Sequence, residues 1–322
     1  MGGSGKTPVV AALARLLRQR GERPVILTRG YGRRDKREGV LVVSDGQRVL
    51  EPVDRSGDEP QLLARTLPGV PVLVGTDRYL AGMFAGRHFA ATVSILDDGF
   101  QHVQLERDID LLLVSVDDLN DRVVPAGHLR EPLDAAQLAD AVLVTGSEES
   151  VMAIAEAVKH PTIFRVTTNY EVLSHRGPDL STSSGSSRAV PKDDRARAVG
   201  VINSRVQEDP RVVAFAGIAR PERFFNALRS VGYEVARELT FPDHHWYTAR
   251  DISDIQAAAR DANTTVIVTT EKDAVRCSLE CAVLPMTVEV EPAAEFERWL
   301  MGRLRSSESE AVSPKLRSSE GG

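Results

Sequence analysis

The sequence predicts an α/β protein built from two α/β/α sandwich domains. Three observations carry that expectation. Short apolar, β-rich runs alternate with segments of helical periodicity along most of the chain. The runs are nearly continuous in apolar character, which marks strands buried on both faces, as in parallel sheets. The chain has 322 residues, more than one ordinary domain of about 100–200, and a polar stretch divides it.

In the first part, strands are expected at Pro24–Thr28, Val40–Val43, Val70–Val74, Thr92–Leu96, Asp110–Val116, Ala141–Thr145 and Pro161–Val166. Between them, Val9–Arg20, Glu59–Thr66, Arg78–Arg87 and Leu133–Asp140 fit helices. These make a larger domain over 1–173. From 174 to 210 the chain is rich in Ser, Gly, Pro and charge and reads as a flexible linker or insertion. A smaller α/β domain follows over 211–304. Its strands are Val212–Ala216, Glu234–Leu239, Thr265–Thr269 and Leu284–Val290, and its helices are Pro221–Val231, Ala249–Ala262 and Pro292–Leu304. Residues 305–322 read as a polar disordered tail.

Composition narrows the function classes. A net charge of −6 offers no basic excess for a nucleic-acid backbone, so no nucleic-acid partner is expected. Two cysteines, Cys277 and Cys281, can build neither a disulfide framework nor a four-ligand metal cluster. No apolar run reaches the roughly 18 residues of a membrane-spanning helix.

The chemistry begins at the first residues. Gly2-Gly3-Ser4-Gly5-Lys6-Thr7 has the form of the second half of a phosphate-binding loop, followed by Pro8 and an amphipathic helix. Glycines let backbone N–H groups close on phosphate oxygens, and the helix start adds its positive end. Lys6 would reach the β- and γ-phosphates of a nucleotide, and the Thr7 hydroxyl would bind Mg²⁺. The first Gly of the usual spacing falls just ahead of Met1, and the strand that launches such a loop would precede it too.

A buried strand at Thr92–Leu96 ends in Asp97 and Asp98, the form of a Walker B strand whose carboxylate holds Mg²⁺. Asp58 and Glu59 open a helix; capping and catalysis are both compatible with that position. Asp243-His244-His245 follows a strand in the second domain, and two adjacent histidines cannot share one face. Thr270-Glu271-Lys272-Asp273 lies just past another buried strand, at the end where open α/β sheets bind ligands. Arg29 and Arg78 each follow a strand closely and fit phosphate contacts; Arg33, His128, Arg130 and Glu131 sit in further polar loops.

Taken together, GGSGKTP, LTRGYGR, GDEP, VGTDR, DDGFQH, PAGHLREP, FAGIARPERFF, FPDHH and TEKD resemble, in order, the motifs of the lipid A 4'-kinases, the tetraacyldisaccharide 4'-kinase family. The resemblance spans about residues 2–300 outside the polar stretch. It implies a larger P-loop NTPase-like domain and a smaller Rossmann-like domain with the active site between them. It further implies transfer of the γ-phosphoryl of ATP to the 4'-hydroxyl of a tetraacylated glucosamine disaccharide 1-phosphate at the cytoplasmic face of a bacterial inner membrane.

Carried onto this chain, Gly2, Gly3, Ser4, Gly5, Lys6, Thr7 and Pro8 would bind ATP, and Thr7, Asp97 and Asp98 would hold Mg²⁺. Asp58 would be the catalytic base, His244 its partner and Lys6 the phosphate cation. Glu59, Arg29, Arg78 and Arg130 would face substrate. A peripheral, monomeric enzyme is implied. Family members also carry a membrane-associating helix and a strand ahead of GG[ST]GKTP; against that pattern the chain reads as starting within the loop, with the anchor lost. Two alternatives fit the same residues: a P-loop kinase of a soluble sugar or cofactor, and a non-catalytic nucleotide-binding protein.

Overall fold

A computed structural model describes residues 5–34, 39–100, 102, 105–127, 129–171, 173–176 and 210–312. Gly2, Gly3 and Ser4, His128, most of the expected linker and the last part of the expected tail lie outside the described residues. The chain groups into two compact units, Met1–Asp98 with Asn169–Thr287 and Gly99–Thr168 with Val288–Gly322. The grouping follows contacts in space, so each unit joins two separate stretches, whereas sequence texture places the division at 174–210.

The first unit begins with α1 (Lys6–Gln19), β1 (Pro24–Thr28), β2 (Leu41–Ser44), α2 (Val53–Ser56), α3 (Asp58–Thr66), β3 (Val72–Val74), α4 (Arg78–Phe89) and β4 (Val93–Leu96). Helix α1 forms because its apolar residues recur on one face: Val9, Val10, Ala11, Leu13, Ala14 and Leu17 are buried. All five residues of β1 are buried, as expected for a strand with parallel neighbours on both sides. The sheet order is β2-β3-β1-β4, with only β2 antiparallel, at the edge. Val10, Ala14, Ile26, Leu63 and Val72 share one core, so α1 and α3 cover a single face of the sheet.

The second unit then contributes β5 (Leu111–Ser115), α5 (Val116–Leu119), a 3₁₀ turn (Leu133–Leu138), β6 (Ala141–Thr145), α6 (Glu148–Val158) and β7 (Ile163–Tyr170). The helix expected at Leu133–Asp140 is that 3₁₀ turn. Ala139 already adopts extended backbone to enter β6, which leaves too few residues for a stable α-helix. Helix α6 was not expected; Ser147 caps it by accepting from the Ser150 amide, and Glu148 and Glu149 complement its first turn.

Returning to the first unit, the chain forms β8 (Ser174–Arg176), β9 (Arg211–Ala216), α7 (Pro221–Ser230), β10 (Glu234–Thr240), α8 (Ala249–Asp261), β11 (Ile267–Thr269), α9 (Glu271–Ala274) and β12 (Cys281–Val283). Their order is β10-β9-β11-β12-β8, parallel except for the edge strand β8. Phe224, Phe225 and Leu228 of α7 pack on Val212 and Ala214, and α8 starts from a capping box between Thr248 and Asp251.

The final elements, β13 (Met286–Glu291) and α10 (Ala293–Val312), follow. Strand β13, expected over Leu284–Val290 as part of the smaller domain, instead joins the sheet β13-β7-β6-β5. In that unit Phe164 of β7 packs edge-on against Phe296 of α10 at 5.0 Å. Among the described residues no helix is long and apolar enough to cross a membrane.

Candidate active site

Two groups of polar residues lie at strand and helix ends of the first unit. The first group is built on α1 and β4. Helix α1 opens at Gly5 without a side-chain cap and without acidic residues in its first turn, leaving its N–H groups and positive end for an anion. Lys6, in that turn, donates to Asp98 Oδ1 at 2.7 Å, so the sequence-distant loop lysine and the end of β4 meet. Both side chains are partly exposed, and such a pair is readily exchanged for another anion.

Asp97, by contrast, is buried. Burial, reinforced by the negative charges of Glu59 and Asp98 and opposed by Lys6, pushes its carboxyl up to about 7. Arg78, at the start of α4, is buried as well and donates to the Gly75 carbonyl. Burial and nearby Arg29 lower its guanidinium, while Asp97 and Asp98 counteract them. Arg29 itself is exposed. Asp97 is therefore within electrostatic reach of Lys6, Asp98, Arg78 and Glu59, and Arg78 within reach of Arg29. Arg130 belongs to the other unit.

The oxygen donors fit Mg²⁺. It favours hard oxygen ligands and keeps to one or two carboxylates, with phosphates and water completing its shell. Thr7, Asp97 and Asp98 supply a hydroxyl and two carboxylates, while no cluster of three His, Cys, Asp or Glu able to hold a metal occurs among the described residues.

The second group centres on Asp58. Gly57 precedes it with φ 89°, and a Cβ there would stand 2.8 Å from the Tyr31 carbonyl, so only glycine lets the chain turn into α3 at this point. Asp58 is buried at the start of α3. His244 Nδ1 lies 2.9 Å from its Oδ2. Arg276 Nη1 lies 3.3 Å from the same oxygen, as a charge contact without hydrogen-bond alignment, and Lys272 Nζ is 3.8 Å away. Burial alone would raise the Asp58 carboxyl, but the His244 hydrogen bond and the charges of Lys272 and Arg276 prevail and hold it below the usual range.

Both cations come from one short segment. Lys272 is on α9 and Arg276 follows it by four residues, one helical turn, which brings both to Asp58. Arg276 is fixed from behind by Asp273 at 2.6 Å and by the Gly217 carbonyl at 3.1 Å. Lys272 also reaches Glu59 Oε1 at 3.3 Å. Since Glu59 acts on Asp97 as well, the two groups are electrostatically linked.

His244 adopts φ 59°, an uncommon conformation for a non-glycine residue, and the loop after β1 packs against it. The Tyr31 ring lies 5.3 Å from the imidazole, and Arg34 stacks on Trp246 at 4.1 Å. His245 points elsewhere, to Asp251 at 3.1 Å, so the adjacent histidines do face apart.

The structure thus brings Asp58, Glu59 and His244 into one cluster, and Lys6, Asp97 and Asp98 into another. Sequence reasoning passed over Arg276 and gave Lys272 no role. The available signal was two cations four residues apart, just beyond the buried strand β11.

The sequence model described as "LpxK: Tetraacyldisaccharide-1-P 4'-kinase" matches residues 1–305. A tetraacyldisaccharide 4'-kinase of Syntrophus aciditrophicus is 37% identical over 313 residues, covering 94% of this chain and 82% of the relative. One from Geobacter metallireducens is 39% identical over 282 residues, covering 86% and 75%. A crystal structure of LpxK from Aquifex aeolicus in complex with ATP superposes with a TM-score of 0.68 at 30% identity, covering 94% of this chain and 85% of that one.

Proposed function

Because the chain belongs to the tetraacyldisaccharide-1-phosphate 4'-kinase family, we propose that Asp58 and His244 form the proton-accepting end of an ATP-dependent lipid A disaccharide 4'-kinase site. The observation that carries this is the buried, ionised Asp58 carboxylate held by His244 at 2.9 Å, with Glu59 linking it to the Lys6–Asp97–Asp98 end.

Phosphoryl transfer requires positioning and charge neutralisation more than covalent chemistry from the protein. Gly5 and the amides opening α1 receive phosphate oxygens, and Lys6 leaves Asp98 to contact the β- and γ-phosphates. Gly2, Gly3 and Ser4 would extend that cradle, with Pro8 shaping the first helical turn. Thr7, Asp97 and Asp98 would hold Mg²⁺, which when bound offsets charge on the phosphates. Arg29 and Arg78 add positive charge nearby, and Arg130 is assigned to the substrate.

Asp58 accepts the proton of the 4'-hydroxyl as its oxygen bonds to the γ-phosphorus. The bond from the γ-phosphorus to the bridging oxygen breaks, and ADP leaves. His244 donates to Asp58 and fixes the direction of the accepting lone pair. We assign the acceptor as the tetraacyldisaccharide 1-phosphate, met at the inner-membrane surface by a monomeric enzyme.

Incubation of the purified chain with γ-labelled ATP, Mg²⁺ and tetraacyldisaccharide 1-phosphate in mixed micelles tests this. Label on the 4' position of the lipid is expected, with none on soluble sugars. ATP binding without label transfer to the lipid would contradict the assignment.

A further inference from the structure

Lys272 lies amid the proposed proton-accepting group and has no part in the steps above. We propose that Lys272 is a positioning residue: it dictates which nitrogen of His244 bears hydrogen, and so directs the His244 hydrogen bond into Asp58. This rests on reading Asp58 as the proton acceptor.

Lys272 Nζ stands 3.5 Å from His244 Nε2, 3.3 Å from Glu59 Oε1, 3.8 Å from Asp58 Oδ2 and 3.9 Å from Asp243 Oδ1. Three carboxylates around a largely buried ammonium hold it in place. An ammonium has hydrogens to donate and no lone pair to offer. Toward an imidazole nitrogen it can therefore only donate, and Nε2 must present its lone pair. The ring hydrogen then sits on Nδ1, 2.9 Å from Asp58 Oδ2, and is donated to it.

The opposite tautomer is disfavoured at both ends. It would set the Nδ1 lone pair against a carboxylate oxygen and aim Nε2–H at an ammonium. Its remaining acceptor, Asp243 Oδ2, is 3.8 Å away, too far for a hydrogen bond.

The groups facing His244 and its partner come from four elements. They are Asp58 and Glu59 of α3, Asp243 of the histidine's own loop, Lys272 of α9 with Arg276 just beyond it, and Tyr31 of the loop after β1. Among the charged groups of the described residues that face them, Lys272 stands beside both the imidazole and Asp58. Of this pair Arg276 is placed against Asp58, so it can hold the carboxylate charged without choosing the tautomer.

The test combines ¹H–¹⁵N NMR of the His244 ring with the pH profile of kcat/KM, in the wild-type chain, Lys272→Met and Lys272→Arg. The wild type is expected to carry the Nδ1–H tautomer, and Lys272→Met a mixture containing Nε2–H. With one cation removed from Asp58, the acid limb of Lys272→Met moves to higher pH; Lys272→Arg keeps the wild-type tautomer and limb. A wild type already in the Nε2–H form overturns the proposal, a result that needs no variant to fold. So does Lys272→Met with an unchanged tautomer and an unmoved limb. Asp58→Asn serves as the separating control. Full activity in that variant removes the base reading itself, whereas an inactive Asp58→Asn beside an unmoved Lys272→Met profile removes only the role of Lys272.

Discussion

Gly32 sets the tolerance around His244. Its φ is +77°, and a Cβ there would lie 3.2 Å from His244 Nδ1, the atom that bonds Asp58. Gly32→Ala places alanine at a left-handed φ and makes the imidazole give by a few tenths of an ångström, so kcat is expected to fall, by less than the roughly hundredfold that a displacement of about 1 Å in a reacting group costs. Steady-state kinetics checks this; an unchanged kcat would show that the loop does not seat His244. Asp97 yields a prediction of opposite sign for stability. Its carboxyl is raised in the folded chain from 3.8 to about 7, so the folded state binds more protons than the unfolded state between those values. The contribution of Asp97 to stability is therefore present at low pH and is lost as pH rises toward 7. Ligand-free Asp97→Asn should melt higher than wild type at pH 8, with the difference shrinking toward pH 4; thermal denaturation across pH measures it. At this scale Asp58, His244, Asp97 and Lys6 were legible because each stands in a motif at a strand or helix end. The grip of Lys272 on Glu59 was not, because those residues lie 213 positions apart in the chain.

Helix α7, expected over Pro221–Val231 and spanning Pro221–Ser230, shows which kind of element is legible. Pro221 starts it, and Phe224, Phe225, Ala227 and Leu228 fall on one buried face. Leu228→Ala should cost about 2–5 kcal/mol, as expected for a fully buried leucine, measured by urea unfolding. A loss far below that range would mean the helix is not packed on β9 as described. The 3₁₀ turn at Leu133–Leu138 was misjudged because apolar spacing alone does not reveal that the chain must straighten at Ala139. Strand β13 was recognised as a strand but not by its neighbours. Its apolar pattern carries no sign that it pairs in the β13-β7-β6-β5 sheet rather than with the strands of the smaller domain. Short α9 is not apparent as a helix in the sequence, since its four residues are too few for periodicity to register.

The first unit draws Met1–Asp98 and Asn169–Thr287 together, so Asp58 and the His244, Lys272 and Arg276 set come from stretches far apart in sequence. The α/β class was visible in the buried apolar strands, whereas this pairing of stretches was not. Arg276 is where the pairing meets stability: its side chain is buried between Asp273 and Asp58, themselves buried. Arg276→Met takes from Asp273 its paired cation and leaves Asp58 with the more distant Lys272, and should destabilise the chain by about 3–5 kcal/mol, measured by urea unfolding. The central claim is that Asp58 takes the hydroxyl proton while Lys6 and α1 bind ATP. Single-turnover phosphoryl transfer by Asp58→Asn, alongside calorimetric ATP affinity, tests it most directly. Transfer should fall by about 10²–10⁴-fold, the contribution of a general base, with ATP affinity retained. Transfer at the wild-type rate, or a loss accounted for by weaker ATP binding, would contradict it.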